Sequence, residues 1–154
     1  MMAVASVMKA CSGGGAPEDR VVQVSVSDAA INGAKAQARA GLDDFFARLS
    51  SPRPHESDFA LKFDLNYGHA ERGQAEIIWT RDITRGLNGE IYGYLDNEPD
   101  TRGFVEGQRV EIPRDAIADW AIKVGDKFQG HYTTRVLFGQ MTPEEVEAVK
   151  ANLW

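Results

Sequence analysis

Apolar residues recur along this chain in two rhythms, and the change from one to the other divides it. Ile31, Ala34, Ala38, Leu42, Phe45 and Leu49 are spaced by three and four, so they fall on one stripe of a helix, while Lys35, Gln37, Arg39 and Asp43 fall largely outside it. Ser25 and Asp28 stand at capping-box spacing at its start, and the two prolines in SSPRPHES (50–57) stop it. The pattern predicts one amphipathic helix of about six turns. Gly33 and Gly41 each cost on the order of 1 kcal/mol relative to alanine, so packing of the stripe must hold the helix together.

After residue 57 the period falls to two. In 59–67 (FALKFDLNY), Phe59, Leu61, Phe63, Leu65 and Tyr67 share one face, with Lys62, Asp64 and Asn66 on a face expected to be wet. A polar loop, GHAERGQ, leads to a second strand at 75–83, in which Ile77, Trp79 and Ile83 are expected on one face. Asn88-Gly89 is a two-residue hairpin signal, because both residues accept positive φ, and it leads to a strand at 90–96. Gly93 marks a bulge or a close approach by another group. Residues 97–107 read as a long acidic loop, 108–112 as a strand stopped by Pro113, and 117–124 as another closed by a turn at Gly125-Asp126. Residues 132–138 alternate like a strand but could equally be helical. Thr142, Pro143 and Glu145 then open a C-terminal helix. A short extended segment is also expected at 21–26.

Strands between two flanking helices predict an α+β fold: a mainly antiparallel sheet of about five strands, a long N-terminal helix packed across it and a short C-terminal helix. The 154 residues suit one domain, at 21–154, preceded by a signal-like segment and flexible tether at 1–20. A formal charge of -6 weighs against nucleic acid as partner, since phosphate binding needs a net basic face. The single cysteine, Cys11, can form no internal disulfide. It follows an apolar, small-residue run and precedes SGGGAPEDR, an order that resembles a bacterial lipoprotein signal and makes Cys11 a candidate for lipid attachment. Location at the cell envelope is the expectation, with a cytoplasmic chain and an incidental cysteine as the alternative.

The sequence also resembles a bacterial family, domain of unknown function 2314, over about residues 21–138. The resemblance rests on Ala34, Ala38 and Phe45, on Phe59 with Lys62, and on Glu76 with Trp79. It continues through Gly93, Asn97 and Pro99, Gly107 before Val110, and Ile117-Ala118-Asp119-Trp120, and closes with Gly130, Tyr132-Thr133 and Arg135. Some relatives carry two glycines before the Tyr-Thr pair; here the second position is His131. The resemblance implies a fold and a bacterial origin, and no activity.

Asp119-Trp120 has two readings: the floor of a ligand pocket, or a core tryptophan beside an acid that caps a turn. Glu76, Asp96, Asp119 and Arg135 could form an acid/base set or a charge network that pins strand order. In an antiparallel sheet, Asn97, Asp119 and Arg135 are expected at one edge, which with Trp120 and Glu76 makes a candidate binding surface. His55, His69 and His131 are scattered without metal-ligand spacing, so neither metal nor cofactor is expected. The function these features favour is a non-enzymatic binding domain for a protein or small molecule. The alternative is a small hydrolase-like enzyme using a carboxylate/arginine cluster.

Overall fold

The computed structural model describes residues 6–9, 21–24 and 28–153; Cys11 and the tether lie outside the described residues. Two short strands, β1 (Ser6–Lys9) and β2 (Val21–Val24), pair antiparallel as a separate ribbon, with β1 against the main sheet. The helical stripe follows as α1 (Asp28–Ala40) and α2 (Leu42–Ser50). The main sheet contains β3 (Glu56–Asp64), β4 (Ile77–Arg85), β5 (Ile91–Leu95), β6 (Arg109–Glu111), β7 (Ile117–Val124) and β8 (Lys127–Gly130). These six strands are all antiparallel, in the order β6-β5-β4-β3-β7-β8. A five-residue helix, α3 (Tyr132–Val136), runs into a 3-10 turn, and α4 (Pro143–Leu153) ends the described chain.

The α+β class and the antiparallel sheet agree with the hydrophobic pattern, but the count and the long helix do not. The additional strand is β8, whose four residues are too few to display a period and which returns from β7 through the Gly125-Asp126 turn. The six-turn helix is broken at Gly41. There the Trp120 indole N–H donates to the Ala38 carbonyl (3.0 Å), and the Gly41 N–H takes the same carbonyl at the tighter i→i+3 spacing (3.1 Å). A Cβ at residue 41 would lie 3.1 Å from two indole atoms, tighter than ordinary contact, so glycine lets the indole sit this close. Residues 132–138 resolve as helix and 3-10 turn.

Leu42 and Phe45 are buried in one cluster with Leu61 and Phe63, as the stripe predicts. Phe45 is fully buried and meets Phe46, Phe59 and Trp120 at ring-centroid distances of 5.2–5.8 Å. Arg48, near the end of α2, pairs with Glu56 at the start of β3 and donates to Gln129 of β8, tying the helix end across the sheet. Desolvation opposes the charge on Glu56, but hydrogen bonds from Arg48 and the Arg53 N–H outweigh it and lower its pKa. At the C-terminal helix, Thr142 and Glu145 exchange backbone-to-side-chain bonds of 2.9 and 3.3 Å, completing the capping box.

Ile77, Trp79 and Ile83 do not share a face. Asp82 has φ 51°, and the register of β4 on β5 shifts between Arg81 and Thr84; this extra residue turns Ile83 into the core, while Trp79 stays on the opposite face. That face is also drier than expected at Lys62, which is only 3% exposed.

Candidate functional site

A row of side chains crosses the sheet on the face opposite the core that Ala38, Leu42 and Phe45 of α1 and α2 cover. Trp79 on β4 is the register partner of Lys62 on β3, and Lys62 that of Asp119 on β7. Alternation along β7 turns Trp120 into the helix-covered core and Asp119 the other way. The fully buried Asp119 meets the start of α3. One carboxylate oxygen accepts from the N–H groups of Trp120 (2.8 Å) and Tyr132 (3.1 Å); the other accepts from the N–H (2.8 Å) and hydroxyl (2.7 Å) of Thr133. A carboxylate offers about four acceptor positions, and four donors fill them. The Thr133 hydroxyl then accepts from Lys62 Nζ at 3.2 Å, so the three buried groups form one chain.

The turn that brings α3 to Asp119 is built from two unusual backbone positions. Gly130 has φ 90°, and a Cβ there would lie 2.1 Å from the Trp120 carbonyl oxygen. His131 has φ 53°, in the left-handed region that favours glycine. Its ring lies 4.9 Å from Trp79 and 5.6 Å from Phe128 between centroids. Burial pushes the imidazole pKa down to about 4; Asp119 opposes that shift, and Lys62 and Arg135 reinforce it. His131 is neutral at pH 7. Arg135 lies over the Tyr132 ring at 5.6 Å, and desolvation lowers its pKa.

Glu76 belongs to a second place, the end of the sheet where the loop before β4 meets residues 97–107. Its carboxylate accepts from the N–H groups of Asp100 (3.0 Å) and Thr101 (3.1 Å), clamping the long loop against the end of β3. Asn66 is 7% exposed; its side-chain amide donates to the Gln74 carbonyl (2.7 Å) and to Thr101 Oγ1 (2.9 Å). The loop closes where the Gly107 N–H donates to the Leu95 carbonyl (2.8 Å) and the Leu95 N–H to Gln108 (3.0 Å). Asn66, Arg72, Glu76, Ile77, Asp100 and Thr101 line an open pocket of about 310 Å³.

The expected edge is thus divided. Asp119, Trp120 and Arg135 lie together around β7 and α3, with Trp120 facing the opposite side of the sheet. Asn97 follows β5, with β4 and β3 between it and β7, so three strand spacings, roughly 14 Å, separate it from Asp119. Lys62, His131 and Thr133 complete the first place, and Asn66, Arg72 and Thr101 the second; none was singled out as a site residue from the sequence. Lys62 is a charged residue inside a strong strand pattern, and that was the available signal. Among the described residues, no group of three or more His, Cys, Asp or Glu is placed to hold a metal ion. No described helix is long and apolar enough to cross a membrane.

A protein of Neisseria meningitidis serogroup B that carries an ankyrin repeat name is 34% identical over 131 residues, covering 81% of this chain and 51% of that protein. The chain therefore spans about half the length of the curated relative it matches. No solved structure matches it. The family model described as "Uncharacterized protein conserved in bacteria (DUF2314)" matches residues 28–153, and the chain belongs to that family.

Proposed function

We propose that the chain is a non-enzymatic binding domain, held at the bacterial cell envelope by a lipid on Cys11, with its working surface where residues 97–107 meet Glu76. The observation that carries the binding reading is the state of Asp119. Its acceptor positions are all used within the fold, so it has no lone pair left to take a proton from a substrate. Glu76 likewise holds backbone N–H groups, and Arg135 lies with Asp119 rather than with Glu76. This weighs against the hydrolase-like alternative built on Asp119, Glu76 and Arg135, because those three do not converge on one cleft. The relative's greater length and ankyrin repeat name suit a domain used beside other units.

The test pairs retention with turnover. Extract from the native host is passed over the wild-type chain and over Asp100→Lys, and retained species are identified by mass spectrometry. A species held by the wild type and lost from the variant at unchanged melting temperature supports the reading. Turnover of ester, phosphoester or glycoside substrates by the wild type, abolished in a folded Asp119→Asn variant, replaces it with the enzymatic one. For the anchor, Cys11→Ser releases the protein from the membrane fraction, and intact mass shows an acylated wild type. An unacylated wild type found only in the soluble fraction removes the anchor.

A further inference from the structure

The pocket beneath the long loop carries opposite charges held apart. Arg72 on one part of its lining donates through Nη1 to the Leu65 carbonyl (3.2 Å) and lies over the Phe104 ring at 5.1 Å. Its orientation is fixed without a carboxylate: among the described residues no ion pair joins Arg72 to Glu76, Glu98 or Asp100, although all four line the same pocket. On another part, Glu76 is fixed by the Asp100 and Thr101 N–H groups, each within reach of both carboxylate oxygens, and by the Thr101 hydroxyl (3.4 Å); three donors on a carboxylate that offers about four acceptor positions leave room for one more. Ala75, Ile77 and Ile78 add apolar surface to the lining.

From this we infer that the pocket binds a small zwitterion, a free amino acid or the end groups of a short peptide. The ligand's carboxylate meets Arg72, its ammonium meets Glu76, and its side chain lies on Ile77. Planar guanidinium favours carboxylate in a two-bonded geometry, and preset charges bind a dipolar ligand without rearranging. A volume of about 310 Å³ is at the small end of ligand pockets, which suits a molecule of this size. The proposal rests on the binding reading above and names the ligand class of the same surface.

The experiment titrates the isotope-labelled full chain with the standard L-amino acids and with glycyl dipeptides, following backbone amides by NMR. The expected result is saturable shifts at Ala75, Asp100 and Thr101 for at least one of these compounds. N-acetylation of that compound and, separately, amidation of its carboxylate should each weaken binding roughly tenfold to a hundredfold, the worth of one charge-assisted contact. Arg72→Gln should reproduce the loss seen on amidation. If no compound in the panel shifts those amides, or if the blocked forms bind as well as the parent, the assignment is overturned. Because the blocked ligands act on the wild type, a poorly folded variant does not rescue it. A partner retained in an Asp100→Lys-sensitive way, with no zwitterion bound, would overturn this inference alone and leave the binding reading standing.

Discussion

Asp119 and Glu76 perform the same elementary task at opposite depths. Each is a carboxylate that gathers backbone N–H groups from a segment distant in sequence: Asp119 from the start of α3, Glu76 from the long loop. Asp119 is sealed, with every acceptor position filled and a buried lysine reaching it through a threonine. Glu76 is only half-buried and keeps acceptor capacity toward a pocket. The difference teaches that an acid in a distinctive motif is no measure of reactivity. What matters is how many of its lone pairs the fold has already taken.

The sharpest way to break this comparison is to remove both acids in turn. Asp119→Ala strands three backbone donors and the Thr133 hydroxyl and removes the carboxylate from the chain that reaches Lys62, so unfolding free energy should fall by about 4–5 kcal/mol. A loss near that of an exposed site, seen in a denaturant titration, would mean that the chain from Lys62 to Asp119 does not hold the fold. Phe45→Ala gives the scale of an apolar loss on the other face of the sheet and should cost about 3–4 kcal/mol by cavity formation; an unchanged midpoint would displace α2 from the core.

Acid should act through the sealed region next. The folded pKa of His131, about 4, lies below its unfolded value of 6.5, so the unfolded chain binds more protons between these limits. The stability contributed by the neutral ring is full above pH 6.5 and is lost as pH falls toward 4, by at most about 3 kcal/mol. Glu56 adds its own loss as pH drops below the ordinary carboxylate range. His131→Gly should remove the higher window and keep the lower, and it also suits the left-handed backbone; urea midpoints across pH distinguish the two. Smallest of all, Glu76→Ala should cost about 1 kcal/mol, with faster amide exchange confined to Asp100, Thr101 and their neighbours.

Most elements were readable because their burial follows a simple period. The stripe from Ile31 to Leu49 and the alternation from Phe59 to Leu65 each report one apolar face, and both faces meet in the core. What was hidden depends on contacts across the fold. Gly41 looks like an ordinary weak helix residue until the indole of Trp120, some eighty positions later, is placed against it. Asp82 sits in a strand pattern without announcing its bulge, so the side of Ile83 was misjudged. Lys62 occupies a position that alternation marks as wet, and it is dry because α3 and His131 gather at that side. The two sites share this origin: Asp119 and Glu76 were visible as candidates, but strand order decides which residues they meet, and no local pattern encodes it.

The joint at Gly41 also has a consequence over evolutionary time. Because the indole of Trp120 fills the space a side chain at residue 41 would need, and takes the Ala38 carbonyl, these two positions are not free to change independently. A relative that exchanges the tryptophan for a smaller residue can admit alanine at 41 and run its helix straight through, whereas one that keeps the indole must move it by a few tenths of an ångström to admit any side chain. Glycine at 41 and tryptophan at 120 should therefore be gained and lost together across the family, and sequences breaking the pair in one direction only should be rare.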